Sequence, residues 1–134
     1  MKHTASLPLV FLLLVGCASP GDQTRGGATH MERTELFFGL SVPDQGQLGQ
    51  QQWQSFVDES ITPRFPDGFT VIDADGQWRD SSGKISHERS KVLLILHPHD
   101  AKSIEKLDEI RSEYKKRFSQ ESVIRETSDA WVSF

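Results

Sequence analysis

Cysteine is almost missing from this chain: Cys17 is the single one in 134 residues. No disulfide can close within it, so a disulfide framework is excluded and the folded part must hold together by its apolar core. Long hydrophobic runs are missing too. The longest, Leu7 to Gly16, has ten residues, against the ~20 that a membrane-crossing helix needs. The glycine patterns of a phosphate loop, a dinucleotide fold or a Gly-x-Ser-x-Gly elbow do not occur. Positive charge is in short supply, with 15 Lys and Arg against 19 Asp and Glu. That balance argues against nucleic acid or anionic lipid as a main partner. The basic run Lys115-Lys116-Arg117 falls at an expected helix end, where cations suit the dipole. No internal repeat is visible.

What is present begins with an address. Lys2 and His3 precede the apolar run "LPLVFLLLVG", which has the length of a signal-peptide core. Its end, Leu14-Val15-Gly16-Cys17, resembles the bacterial lipobox. The resemblance implies a signal peptide over residues 1–16, cleavage before Cys17, a diacylglycerol on its sulfur and a fatty acid such as palmitate on the new N-terminus. Each buried methylene of such chains adds ~0.8 kcal/mol, and two chains already anchor stably, so the lipid bilayer is a partner through acylated Cys17. Ala18, standing where aspartate would retain a lipoprotein at the inner membrane, points by the same resemblance to the outer membrane, periplasmic side. Residues 17–31 then form the lipidated Cys and a Gly-, Ser- and Thr-rich flexible tether, and 32–134 a single domain. Without Lys2, 14 basic residues face 19 acidic ones, a mature formal charge of −5.

Within the domain the periodicities give six elements. "TELFFGLS" (34–41) reads as a strand. Gln50 to about Arg64 carries Trp53, Phe56, Val57 and Ile61 on one helical face. Phe69–Arg79 and Lys84–His97 read as strands joined by the turn "RDSSG". Asp100 is an N-cap for a helix with Ile104, Leu107, Ile110, Tyr114 and Phe118 in one stripe. "ESVIRETSDAWVSF" closes the chain as a final strand or a strand plus tail. This order predicts an α+β, ferredoxin-like βαββαβ fold, a four-stranded antiparallel sheet with two helices on one face. The first and third strands, "LFFGL" and "VLLIL", are the most continuously apolar, as central strands are. Two helices cover one sheet face, so the other needs a cover: a second copy in a homodimer through the sheet face, or the C-terminal segment with Trp131 and Phe134.

The densest stretch is "TPRFPDGFTV" (62–71) with "IDADGQW" after it. Pro63 ends the helix and Pro66-Asp67-Gly68 has turn composition, with Phe65 and Phe69 plugging the helix end onto the sheet. "DADG" (73–76) suggests a bulge with Gly76 at its strained position. The alternative to turn chemistry is a ligand site drawn from Glu35, Arg64, Asp73, Trp78 and Arg79. One form of it pairs Glu35 with Arg79 or Arg89 across the sheet. "HPHD" offers His97 and His99 as candidate metal ligands, although Asp100 is already used as a cap. No cofactor is implied, and no catalytic residue can be named.

The runs "ERTELFFGL", "WQSFVDESITPRFPDGFTVIDADGQWRD" and "SKVLLILHP" together resemble a bacterial domain-of-unknown-function family of small exported proteins and lipoproteins. The resemblance brings no activity, substrate or catalytic residue. The expectation is a membrane-anchored, periplasm-facing lipoprotein whose domain is a non-catalytic binding or assembly module. The alternative is a small periplasmic enzyme or metal-binding protein using a polar sheet-cleft site.

Overall fold

The computed structural model describes residues 24–134; the expected signal peptide, Cys17 and the first part of the tether lie outside the described residues. The first hairpin is already inside the stretch expected as tether. β1 (Thr24–Arg25) turns through Gly26-Gly27, both at positive φ, into β2 (Ala28–Gly39). β2 therefore starts six residues before the expected Thr34. Its early part, "ATHMER", carries no apolar alternation because that end of the strand extends past most of the helix cover.

After β2 come a two-residue hairpin, β3 (Ser41–Val42) and β4 (Gly46–Gln47), and helix α1 (Gln50–Phe56). α1 widens into a π-helical turn over Val57–Ile61, where the Thr62 amide donates to the Val57 carbonyl at 2.9 Å. The expected apolar face survives this change: Trp53, Phe56, Val57 and Ile61 are all buried, and the wider turn also buries Ser60. The chain then forms β5 (Thr70–Arg79), β6 (Ile85–His97), α2 (Ala101–Phe118) and β7 (Ile124–Val132). Asp100 caps α2 as expected, accepting from the Ser103 amide at 2.7 Å. That hydrogen bond, made to the charged form, holds its carboxyl below the ordinary range.

The main sheet is antiparallel throughout, in the order β7-β2-β6-β5, and both helices pack on one face. The two central strands are the two most apolar ones. Among the described residues the outer edges of β5 and β7 carry no further strand. Leu36, Phe38, Leu93 and Ile95 point to the helices and are sealed from solvent. Phe38 is the hub of the core, with its ring centroid 4.7 Å from Tyr114, 5.4 Å from Trp53 and 6.0 Å from Phe56, all edge-on. Phe65 and Phe69 do close the helix end, and Gly68 takes φ 139° in the turn between them. The expected bulge at Gly76 is absent. The β5–β6 register runs unbroken from Thr70 opposite Leu94 to Arg79 opposite Ile85, and Gly76 is an ordinary strand residue facing Glu88.

The C-terminal segment does not cover the second face. β7 pairs edge-on with β2, Trp131 lies over His30 at 5.0 Å between ring centroids, and Phe134 is fully exposed. No element among the described residues lies over that open face.

Candidate functional site

Strand parity sorts the sequence candidates before any chemistry does. On the open face, register places Ile124, Phe37, Val92 and Ile72 in one row across all four strands. Ile124 is 61% and Ile72 46% exposed, and Leu94 and Leu96 continue the apolar belt along β6. The next row holds only small side chains, Gly39, Ser90 and Ala74, and beyond it Glu88 lies opposite Gly76. Because these positions are small, the sheet surface is hollowed there. The hollow has a volume of about 320 Å³ between the belt, Trp78 and the loop 120–122.

Gly39 leaves room for the Glu88 side chain. A methyl group placed on it would lie 2.5 Å from Glu88 Oε1 and 2.9 Å from Oε2. The bare glycine lets the Glu88 carboxylate lie flat across the strand, where Oε2 accepts from the Ser41 amide at 3.0 Å. From the helix side, the Tyr114 hydroxyl donates to the Gly39 carbonyl at 2.7 Å, and burial pushes that phenol well above its ordinary range. The Gln120 side-chain amide donates to the Ser41 carbonyl at 2.6 Å, fixing the loop at the rim.

The polar residues picked from the sequence do not meet in one place. Trp78 lines the hollow. Glu35 is on the same face but two rows away, and its partner is Arg33 on its own strand, not Arg79 or Arg89. Asp73 faces the other way and receives Lys91 Nζ at 2.5 Å, an ammonium that holds its carboxyl below the ordinary range. Arg79 donates to the Gly83 carbonyl in the β5–β6 turn. Arg64 is at the back of the molecule, clamped to Glu109 at 2.8 Å, Glu113 at 2.7 Å and the Ser60 carbonyl at 2.8 Å. It joins the π-turn to α2 and is a structural clasp. Arg64→Ala is expected to lower the unfolding free energy by ~1–2 kcal/mol, since three hydrogen bonds are lost at a partly exposed site. It should leave any ligand affinity of the open face unchanged; urea melts and a binding titration on the same preparation check both halves.

His97 and His99 do not converge on an ion either. His97 is buried, with Nδ1 donating to the Pro98 carbonyl at 2.9 Å and Nε2 bonded to the Thr34 hydroxyl at 2.8 Å, so both ring nitrogens are taken. His99 is exposed, its Nδ1 2.8 Å from Glu32 Oε1. The second Glu32 oxygen is buried without a hydrogen-bond partner, 3.8 Å from His97 Nδ1. Among the described residues no group of three or more His, Cys, Asp or Glu side chains could hold a metal.

Gly39 and Glu88 are not among the residues that the sequence singles out for a site, and Gly76 enters it only as the strained position of a bulge. A glycine inside an apolar strand, as in "LFFGL", was the available signal, because it marks close approach by another group.

The chain belongs to the family described as protein of unknown function DUF3574, whose profile matches residues 33–134. No curated protein matches it. Among solved structures it is similar to a phage SAM lyase in complex with S-methyl-5′-thioadenosine, with a TM-score of 0.59 at 20% identity over 87% of this chain and 97% of that one. The same lyase in its apo state gives 0.57 at 20% identity, covering 81% and 92%. A PII-like signaling protein from Thermus thermophilus reaches 0.46 at 13% identity, covering 79% of this chain and 92% of that one. At such identities the lyase likeness is one of fold.

Proposed function

We propose that this protein is a membrane-anchored lipoprotein of the outer membrane, facing the periplasm through Cys17, and that its domain is a non-catalytic binding module working through the open sheet face. The strand order and the single-sided helix layer support reading that domain as ferredoxin-like βαββαβ. The observation that carries the functional reading is the apolar belt Ile124–Phe37–Val92–Ile72, whose two ends, Ile124 and Ile72, are exposed, while Phe37 is half-buried and Val92 is buried between them. Apolar surface of that continuity costs free energy in water and is kept where something binds it. A second copy packed face to face would bury the belt and, through Phe37 and Ile124, one wall of the hollow, whose other wall is formed by Trp78 and Glu88. The charged side chains elsewhere serve the fold: Arg64, Asp73, Arg79, His97 and Asp100 each have a structural partner.

Native mass spectrometry of the full chain, made in a diderm bacterium and extracted in detergent, tests anchor and assembly together. The expected species is a dimer whose subunits start at Cys17 and carry the mass of a diacylglycerol and a further acyl chain. Ile72→Asp combined with Ile124→Asp should shift it to monomer. An unacylated chain would overturn the anchor. An acylated monomer retaining a metal ion would favour the enzyme or metal-binding alternative.

A further inference from the structure

We infer that the hollow beside the belt binds an organic cation, an ammonium, quaternary ammonium or sulfonium centre carried on an apolar body. The inference rests on the reading of the open face as the working surface and adds the class of ligand. Charge decides the class. Two carboxylates, Glu88 and Glu121, line the hollow, and no lysine, arginine or histidine is among its lining residues. Arg89, next to Glu88 in sequence, belongs to the opposite parity and lies 3.8 Å from Asp73. Both carboxylates are held in place: Glu88 by the Ser41 amide, Glu121 by the Ser81 hydroxyl at 3.0 Å. Among the described residues Glu88 Oε1 has no hydrogen-bond donor of its own. A phosphate or carboxylate ligand would meet two like charges at short range, whereas a cation meets two opposite ones.

The walls suit the rest of such a ligand. Phe37 and Trp78 offer aromatic surface to the cation, and Ile124 continues the apolar wall beside Phe37. The volume is at the lower end of small-molecule sites, which start at about 300 Å³. The formal charge of −5 on the chain from Cys17 onwards, 14 basic against 19 acidic residues, adds long-range attraction for a cation arriving from solution.

Isothermal titration of the full chain in neutral detergent with benzyltrimethylammonium, benzyl alcohol and benzoate tests this, since the three probes share a ring and differ in charge. The cation should bind about tenfold more tightly than the alcohol, with benzoate weakest, and added salt should narrow the gap. Glu88→Gln keeps an oxygen for the Ser41 amide and should weaken the cation about tenfold while sparing the alcohol. Glu121→Gln, at an exposed position, should act in the same direction without affecting the fold. If the alcohol or benzoate binds as well as the cation, or both variants leave cation binding unchanged, the cation class is wrong and the binding face stands. If none of the three probes gives heat, the cation proposal is overturned; should the native spectrum also show only monomer, the working-face reading falls as well.

Discussion

Phe38→Ala is expected to remove ~3–5 kcal/mol of stability, the usual cost of emptying a large buried aromatic site. Against a total of ~5–15 kcal/mol for a domain of this kind, that is about a fifth or more of the whole margin. The reason is position. Phe38 has no exposure and touches Trp53, Phe56 and Tyr114, so its loss opens a cavity between the sheet and both helices. Phe37, one residue earlier, points to the other side and contacts the belt and the hollow. Phe37→Ala should cost the isolated subunit less than Phe38→Ala, because Phe37 is half-buried where Phe38 is sealed, yet should weaken self-association and ligand capture at once. Urea denaturation followed by tryptophan fluorescence, run beside native mass spectrometry, separates the two. Equal losses of stability from both substitutions would mean that the open face is packed from within.

The second large effect is at alkaline pH. Tyr114 is the only tyrosine, so phenolate absorbance reports it alone. Burial raises its pKa above the ordinary 10.0, and the Glu88 charge raises it further. A pKa raised in the folded state means that the contribution to stability is fully present below pH 10 and declines as pH rises beyond it, because the unfolded chain ionises first. The expected result is that phenolate absorbance stays flat until the protein unfolds and then appears in the same transition. Tyr114→Phe should abolish that coupling and leave the Gly39 carbonyl without its donor, a cost of about 1–3 kcal/mol at neutral pH. Gradual ionisation near the ordinary value in a folded protein would contradict the packing described here.

Much of the framework was legible in the sequence because its signals are local. The stripe Leu107–Ile110–Tyr114–Phe118 and the cap at Asp100 depend only on helical spacing. The central positions of β2 and β6 followed from their unbroken apolar runs. Trp53, Phe56, Val57 and Ile61 were read correctly as one buried face although the helix changes to π geometry beneath them, since a single wide turn shifts the phase too little to lose it. The start of β2 was not legible: Thr29, His30 and Glu32 lack the alternation that a core imposes, and the Gly26-Gly27 hairpin that begins the sheet looks like a linker in composition.

The site was less legible for a physical reason. Which charges meet depends on cross-strand register and on helix packing, and neither is written in spacing along the chain. Spacing along the chain leaves Arg64 free for a ligand, but α2 brings Glu109 and Glu113 to it. Asp73 and Trp78 are five residues apart, an odd number, and strand alternation alone sends them to opposite faces once the supposed bulge at Gly76 is removed. Glu88 was overlooked because its importance comes from Gly39, 49 positions away in the chain and two residue positions away across the ladder.

The bare outer edges of β5 and β7 have a further consequence. A sheet can grow sideways wherever backbone donors and acceptors are left open. Here β5 carries Asp73, Asp75 and Arg79 along its length, and β7 carries Arg125, Glu126 and Asp129. Two like strands meeting edge to edge would set these ionised groups side by side, while two open faces meeting bring together hydrocarbon. On the proposed reading, the same sheet discourages edge-to-edge growth and allows face-to-face pairing, which would close as a countable assembly instead of running on into fibres.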